Sequence, residues 1–155
     1  MDIRELMTAP VQALGPEDTL NCAAKLMGDA AIGCIAIVDG GKLVGILTDR
    51  DIAIGAYTVG EALWRLRIAD HMRTPVYSCR ASDDIAVAGR MMRDKRVRRL
   101  PVLDENDTLV GMISLDDLVH ASQQPVLDPT PGMNADELDA VVDATSGRSK
   151  HQPAH

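Results

Sequence analysis

The chain contains no phenylalanine, and its aromatic residues are Tyr57, Trp64 and Tyr77 alone. A platform that stacks the bases of single-stranded nucleic acid needs several aromatic rings, so that function is not expected. Cysteine is also scarce. Cys22, Cys34 and Cys79 are odd in number, and none stands in CxxC or CxxH spacing. Neither a disulfide framework nor a zinc site is expected. No run approaches the ~20 apolar residues of a membrane helix. Met1-Asp2-Ile3-Arg4-Glu5-Leu6 places charges where a signal peptide has an apolar stretch. The expectation is a reduced, soluble, cytoplasmic protein without membrane contact.

Positive charge is in deficit, with a formal net charge of −7. Such a chain does not bind phosphate backbones over its whole surface, so nucleic acid is not an expected partner. Any anion site must come from a local cluster. One exists: Arg90, Arg93, Lys95, Arg96, Arg98 and Arg99, offset by Asp94.

What is present is apolar aliphatic material and a repeat. Of 155 residues, 46 % are hydrophobic, enough for one compact domain or two small ones. When Pro10 is laid over Pro75, Met7 meets Met72, Val11 meets Val76, Asp18 meets Asp83 and Met27 meets Met92. One extra residue near Asn106 restores register. Leu43-Val44-Gly45 then meets Leu109-Val110-Gly111, Thr48 meets Ser114 and Asp51 meets Asp117. A match that holds register with a single gap is a true internal repeat.

Both copies read alike. Helical turns are expected at 3–7 and 68–72, and the prolines then force extended chain, with short strands at 11–14 and 76–79. Leu20, Ala23, Ala24 and Met27 share one helix face, as do Ile85, Ala88 and Met92. Strands follow at 34–38 and 100–103, then turns at 39–41 and 104–107, then return strands at 43–47 and 109–113. A last helix starts at Thr48 or Ser114. The division is repeat one at 1–57, a helical connector at 58–67, repeat two at 68–122, and a tail at 123–155. In the connector, Glu61–Leu66 reads as helical, with Trp64 packing on the repeats or on a second subunit. In the tail, Pro125, Pro129, Pro131 and Gly132 mark a linker. Asn134–Ala144 reads as an acidic helix with Leu138, Val141 and Val142 as its stripe, and Thr145–His155 as disordered.

Met-x-x-Pro-Val at the start, Leu100-Pro101-Val102, the Asp turn, and Leu-Val-Gly-x-x-[Thr/Ser]-x-x-Asp at the end, present twice in order, resemble the CBS domain. The resemblance covers about residues 3–121. It implies an α+β fold of two tandem βαββα repeats packed face to face with pseudo-two-fold symmetry. It also implies a stand-alone regulatory module that binds AMP, ADP, ATP or another adenosyl compound in clefts between the repeats. By matching position, Asp51 and Asp117 would accept from ribose hydroxyls, which suits a carboxylate facing a diol. Thr48 and Ser114 would contribute hydroxyls to sugar or phosphate. The backbone at Val11-Gln12 and Val76-Tyr77 would face the base, and Arg98 and Arg99 would meet phosphates. The copies differ at Gly33-Cys34 against Arg98-Arg99, and at Arg50 against Asp116. Two unequal sites follow, the better one using Thr48 and Asp51 with help from Arg50 or from Arg98 and Arg99.

The same residues have a plainer reading. Thr48-x-x-Asp51 and Ser114-x-x-Asp117 also spell helix caps of the capping-box kind, and both roles can coexist. Arg90, Arg93 and Lys95 read as the solvent face of a helix, with its positive charges near the C-terminal end. His71 and His120 stand alone. No nucleophile–base pair, phosphate-binding glycine loop or metal spacing is present, so no enzymatic activity is expected. The functional expectation is an adenine-nucleotide-sensing module that acts on a separate protein, as a homodimer by family resemblance. The alternative is a ligand-independent interaction module.

Overall fold

A computed structural model describes residues 1–123 and 135–146. Repeat one runs β1 (Ala13–Leu14), α1 (Leu20–Ala30), β2 (Cys34–Asp39), β3 (Lys42–Thr48), α2 (Asp49–Val59). Repeat two runs β4 (Cys79–Arg80), α3 (Ile85–Lys95), β5 (Arg99–Leu103), β6 (Leu109–Ser114), α4 (Leu115–Gln123). A 3-10 turn precedes each copy, at Ile3–Glu5 and Ile68–Asp70. Each copy forms one three-stranded sheet, ordered β1-β2-β3 and β4-β5-β6. The first strand of each sheet is parallel to the second. The class is α+β with two βαββα repeats.

Local chemistry accounts for these elements. Thr19 caps α1 by accepting from the Cys22 N–H, and Leu20, Ala23 and Met27 are its buried face. Asp84 caps α3 by accepting from the Ala86 N–H, with Ile85, Ala88 and Met92 buried beneath. The β2–β3 hairpin turns through Gly40 and Gly41 at φ 56° and 79°, the left-handed region open to glycine.

The repeat boundaries in sequence and the compact units in space differ. One unit contains Pro10–Val76 with Glu105–Leu109. The other contains Met1–Ala9, Tyr77–Asp104 and the described residues from Val110 onward. In the α1–α2 unit, Leu20, Ile35, Ile37, Leu47 and Ile52 enclose Ile68, which leads repeat two. In the α3–α4 unit, Met92, Leu100, Val102, Ile113 and Leu118 enclose Ile3, which leads repeat one. Backbone bonds secure both leaders in the same way. Ile3 N–H donates to Asp83 O (2.9 Å) and Ile68 N–H to Asp18 O (2.8 Å).

The glycine of Leu-Val-Gly explains itself in this frame. A Cβ on Gly45 would lie 2.4 Å from Met72 Sδ, and one on Gly111 would lie 2.5 Å from Met7 Sδ. The Met of each leader therefore occupies the space that a side chain on the adjoining strand would take.

Several expected boundaries are corrected. Strands expected at 11–14 and 76–79 are Ala13–Leu14 and Cys79–Arg80. Proline makes the chain extended, but a strand also needs a ladder partner. Pairing is confined to Ala13↔Ala36 and Leu14↔Ile37 in one sheet, and to Cys79↔Val102 and Arg80↔Leu103 in the other. The helical turns expected at 3–7 and 68–72 are shorter 3-10 turns. The connector holds one 3-10 turn, Leu63–Arg65, instead of a helix over Glu61–Leu66. Leu66 supplies the buried contact there, while Trp64 is 61 % exposed with the Arg65 guanidinium 4.8 Å from its ring centre.

The acidic tail helix forms as α5 (Ala135–Ser146). Val141 is buried in the core of the α3–α4 unit, and Val142 packs against it. The helix continues past Ala144, with Thr145 Oγ1 donating to Val141 O at 2.9 Å, so Thr145 and Ser146 belong to it and not to a disordered tail. The proposed cap Asn134, the Pro-rich linker at 124–134 and the chain at 147–155 lie outside the described residues.

Candidate functional site

The last strand of each repeat delivers its Thr or Ser to the start of the following helix. In the α1–α2 unit, pairing of Cys34 with Thr48 fixes the end of β3. Thr48 then caps α2. Asp51 N–H donates to Thr48 Oγ1 (3.2 Å), and Thr48 N–H donates to Asp51 Oδ2 (3.0 Å). This is a complete capping box, formed with Asp in place of the commoner Glu or Gln.

A third residue, absent from the sequence-derived set, completes this cluster. Arg73 Nε lies 2.9 Å from Asp51 Oδ1 and 3.0 Å from Oδ2, and Nη2 lies 2.9 Å from Oδ1. The leader of repeat two brings it there. Arg73 N–H donates to Ile46 O (2.8 Å) and Ile46 N–H returns to Arg73 O (3.3 Å), two residues ahead of Thr48. Asp51 is 12 % exposed and Arg73 is 55 % exposed. The cation therefore sits on the outer side of a nearly covered carboxylate. One signal was available: the proline alignment puts Arg73 opposite Thr8, a charge asymmetry inside the Met-x-x-Pro motif.

The remaining predicted residues of this unit are more dispersed. Arg50 is exposed, and its backbone N–H donates to Asp49 Oδ1 at 2.8 Å. Val11 and Val76 are half-buried and Gln12 is exposed. Among the described residues, no polar contact joins Arg50 or Gln12 to Asp51.

The α3–α4 unit repeats the cap with different detail. Ser114 N–H and Oγ–H both donate to Asp117 Oδ2 at 2.7 Å, and Asp117 N–H donates to Ser114 Oγ at 3.3 Å. The position equivalent to Arg73 is Thr8, bridged to Met112 by backbone bonds of 2.9 and 3.1 Å. Its short side chain brings no cation. Arg98 O accepts from Leu115 N–H (2.8 Å), and Arg98 Nη2 lies 3.9 Å from Asp116 Oδ1. The Asp116 carboxylate, which stands where the first copy has Arg50, thus has a loose, exposed cationic partner. Arg99 opens β5 and is exposed. Tyr77 carries Lys95 Nζ 4.8 Å from its ring centre.

The structure thus brings together Thr48 with Asp51, and Ser114 with Asp117, and sets Arg98 beside the start of α4. Among the described residues, no group of three or more His, Cys, Asp or Glu is placed to hold a metal ion, and no helix is long and apolar enough to cross a membrane.

This fold and these paired helix starts define a tandem-repeat module, and the relatives agree. The CBS domain matches residues 3–54 and 68–124. The chain is 34 % identical over 116 residues to CBS domain-containing protein YhcV of Bacillus subtilis, covering 75 % of this chain and 81 % of that protein. It is also 34 % identical over 116 residues to hypoxic response protein 1 of Mycobacterium tuberculosis, covering 74 % and 80 %. The CBS domain pair of protein MJ0100, solved in complex with 5-methylthioadenosine and S-adenosyl-L-methionine, shares the fold. It aligns with a TM-score of 0.70 at 24 % identity, over 78 % of this chain and 94 % of that one. The chain belongs to the CBS-domain family.

Proposed function

We propose that this chain is a regulatory module that binds an adenosyl ligand such as AMP, ADP or ATP and acts on a separate protein partner, as a cytoplasmic homodimer. One observation carries the reading. The Asp51 carboxylate is held in a fixed orientation at the start of α2, accepting from the Thr48 backbone N–H and from the Arg73 guanidinium, while the Thr48 hydroxyl accepts from the Asp51 N–H. A carboxylate so held suits a ribose diol, and a guanidinium beside it suits a phosphate. Ser114 and Asp117 offer the same carboxylate and hydroxyl with Arg98 nearby. Val11, Gln12, Val76 and Tyr77 would serve the base, and Arg50 and Arg99 the phosphates. Family membership supports the reading, as does a pair of the same fold that holds adenosyl ligands.

Regulation of this kind requires no chemistry at the site. A ligand that favours one of two states of the protein shifts their populations, and one that favours neither shifts nothing. The test is thermal shift and calorimetry with AMP, ADP, ATP and S-adenosylmethionine. Saturable stabilisation by one of them, reduced in Asp51→Ala and abolished when Asp117→Ala is added, is the expected result. Absence of any effect at millimolar concentration rejects the proposal.

A second reading has its own observation. Both Thr/Ser-x-x-Asp pairs are complete helix caps, and Asp51 is further neutralised by Arg73. A ligand-independent interaction module accounts for this equally. It predicts partner capture and self-association that do not change when nucleotides are added or when Asp51 is replaced by Ala.

A further inference from the structure

The carboxylate assigned to the ribose is already engaged. A carboxylate offers about four lone-pair sites. At Asp51, Oδ2 accepts from Thr48 N–H and Arg73 Nε, while Oδ1 accepts from Arg73 Nε and Nη2. A ribose diol needs two of those acceptor positions and therefore competes with the guanidinium. Asp117 differs. Its Oδ2 accepts from Ser114 twice, and among the described residues its Oδ1 accepts no hydrogen bond. Thr8, which stands in the Arg73 position there, has no charge to place on it.

We propose that Arg73 is a specificity-determining residue that couples recognition of the ribose at Asp51 to the presence of an anionic group on the ligand. The inference rests on the adenosyl reading of this site. With no ligand, the guanidinium neutralises Asp51 and blocks its outer acceptor positions. A nucleoside without phosphate must break that ion pair and offers the arginine nothing in return. A nucleoside phosphate offers a second anion, so the guanidinium exchanges one charge-assisted partner for another while the carboxylate turns to the diol. Arg73 is suited to the exchange because it is more than half exposed and is fixed to β3 by its backbone, not by its side chain. The Asp51 site should therefore reject adenosine and 5′-methylthioadenosine relative to AMP. The Asp117 site lacks this restriction.

The experiment is isothermal titration of AMP and adenosine into the full chain in an Asp117→Asn background, so that only the Asp51 site is read, with and without Arg73→Thr. Arg73→Thr installs the residue that the first copy carries at this position. Charge-assisted hydrogen bonds contribute about 1.5–3 kcal/mol, equivalent to roughly 10- to 150-fold in affinity. With Arg73 present, AMP is expected to bind at least about 10-fold more tightly than adenosine. In Arg73→Thr, AMP weakens while adenosine binds as well or better, and the ratio falls towards one. An AMP-to-adenosine ratio unchanged by Arg73→Thr overturns the role of Arg73 and leaves the adenosyl reading intact. Binding of neither compound to any variant overturns this inference, while the adenosyl reading itself stands or falls on the thermal-shift series above. Native circular dichroism and a single cooperative melting transition well above the titration temperature establish that each variant is folded.

Discussion

Arg73 and Asp51, 22 residues apart in sequence, meet in a two-point ion pair, and the same carboxylate closes the capping box of α2. Two energies of different size are therefore stacked on one side chain. The cap contributes about 1 kcal/mol. The ion pair contributes less, because exposed pairs give about 0–1 kcal/mol and Arg73 is mostly in solvent. Urea unfolding should show Thr48→Ala costing about 1 kcal/mol and Arg73→Thr at most a few tenths to 1 kcal/mol. Asp51→Ala should cost at least as much as Thr48→Ala. A larger loss for Arg73→Thr than for Asp51→Ala contradicts this ranking.

Gly45 should not tolerate a methyl group. Its Cβ would meet Met72 at Sδ (2.4 Å), Cγ (3.0 Å) and Cβ (3.2 Å), so the clash involves more than the flexible end of the side chain. Overpacking of this kind costs roughly 1–3 kcal/mol. Gly45→Ala should lose that much in chemical denaturation, and should lose clearly less when made in a Met72→Ala background. Equal losses in the two backgrounds separate the glycine from the methionine and remove this explanation of the motif.

Ile3 tests which body its leader supports. It is fully buried among Leu100, Val102 and Ile113. Ile3→Ala should destabilise by about 2–5 kcal/mol. In hydrogen exchange, the loss of protection should fall on β5 and β6, in the other copy of the repeat. Protection lost first in β2 and β3 contradicts the observed packing.

Alkaline stability depends on Cys79. Burial, and after it the Asp83 charge, push its thiol from 9.0 up to about 12. Its Sγ–H donates to Pro101 O at 3.8 Å, and the residue is 4 % exposed. The folded state thus keeps a proton that the unfolded chain releases. Stability from this group is complete below pH 9 and is lost as pH rises from 9 towards 12. Melting temperatures measured from pH 8 to 10.5 should fall more steeply for the native sequence than for Cys79→Ala. Parallel curves for the two proteins count against a protonated thiol in the fold.

The helix faces, hairpin turns and order of elements were legible because each is set by neighbours in sequence. Leu20, Ala23 and Met27 lie on one face whatever surrounds them, and Gly40-Gly41 turns wherever it stands. Thr48 and Asp51 were legible for the same reason, since a cap closes within three residues. Arg73 was not. Its partner is distant, and nothing in the alternation of apolar and polar residues says that a charge in one repeat's leader reaches the helix of the other. The length of β1 was hidden for a related reason. Extended chain after Pro10 is local, but a ladder forms only where that chain lies alongside β2, which is confined to Ala13 and Leu14. Trp64 departs from one of the two packings expected of it, that on the repeats. A large apolar side chain suggests burial, yet Leu63 and Leu66 on either side of it take the core positions, and the indole is left outside with Arg65.

The two leaders have a consequence for the order of folding. Residues 1–9 are made well before the core that takes Ile3, which is completed by Ile113, Leu115 and Leu118, more than a hundred positions later. The contacts that bury Ile3 cannot form until the second copy of the repeat has been made. The α1–α2 unit likewise waits for Ile68 before its core closes. Long loops must be closed before these contacts form, which slows folding. Neither copy of the repeat is therefore an autonomous folding unit, and a fragment cut at the sequence boundary between them keeps a leader that has lost its core.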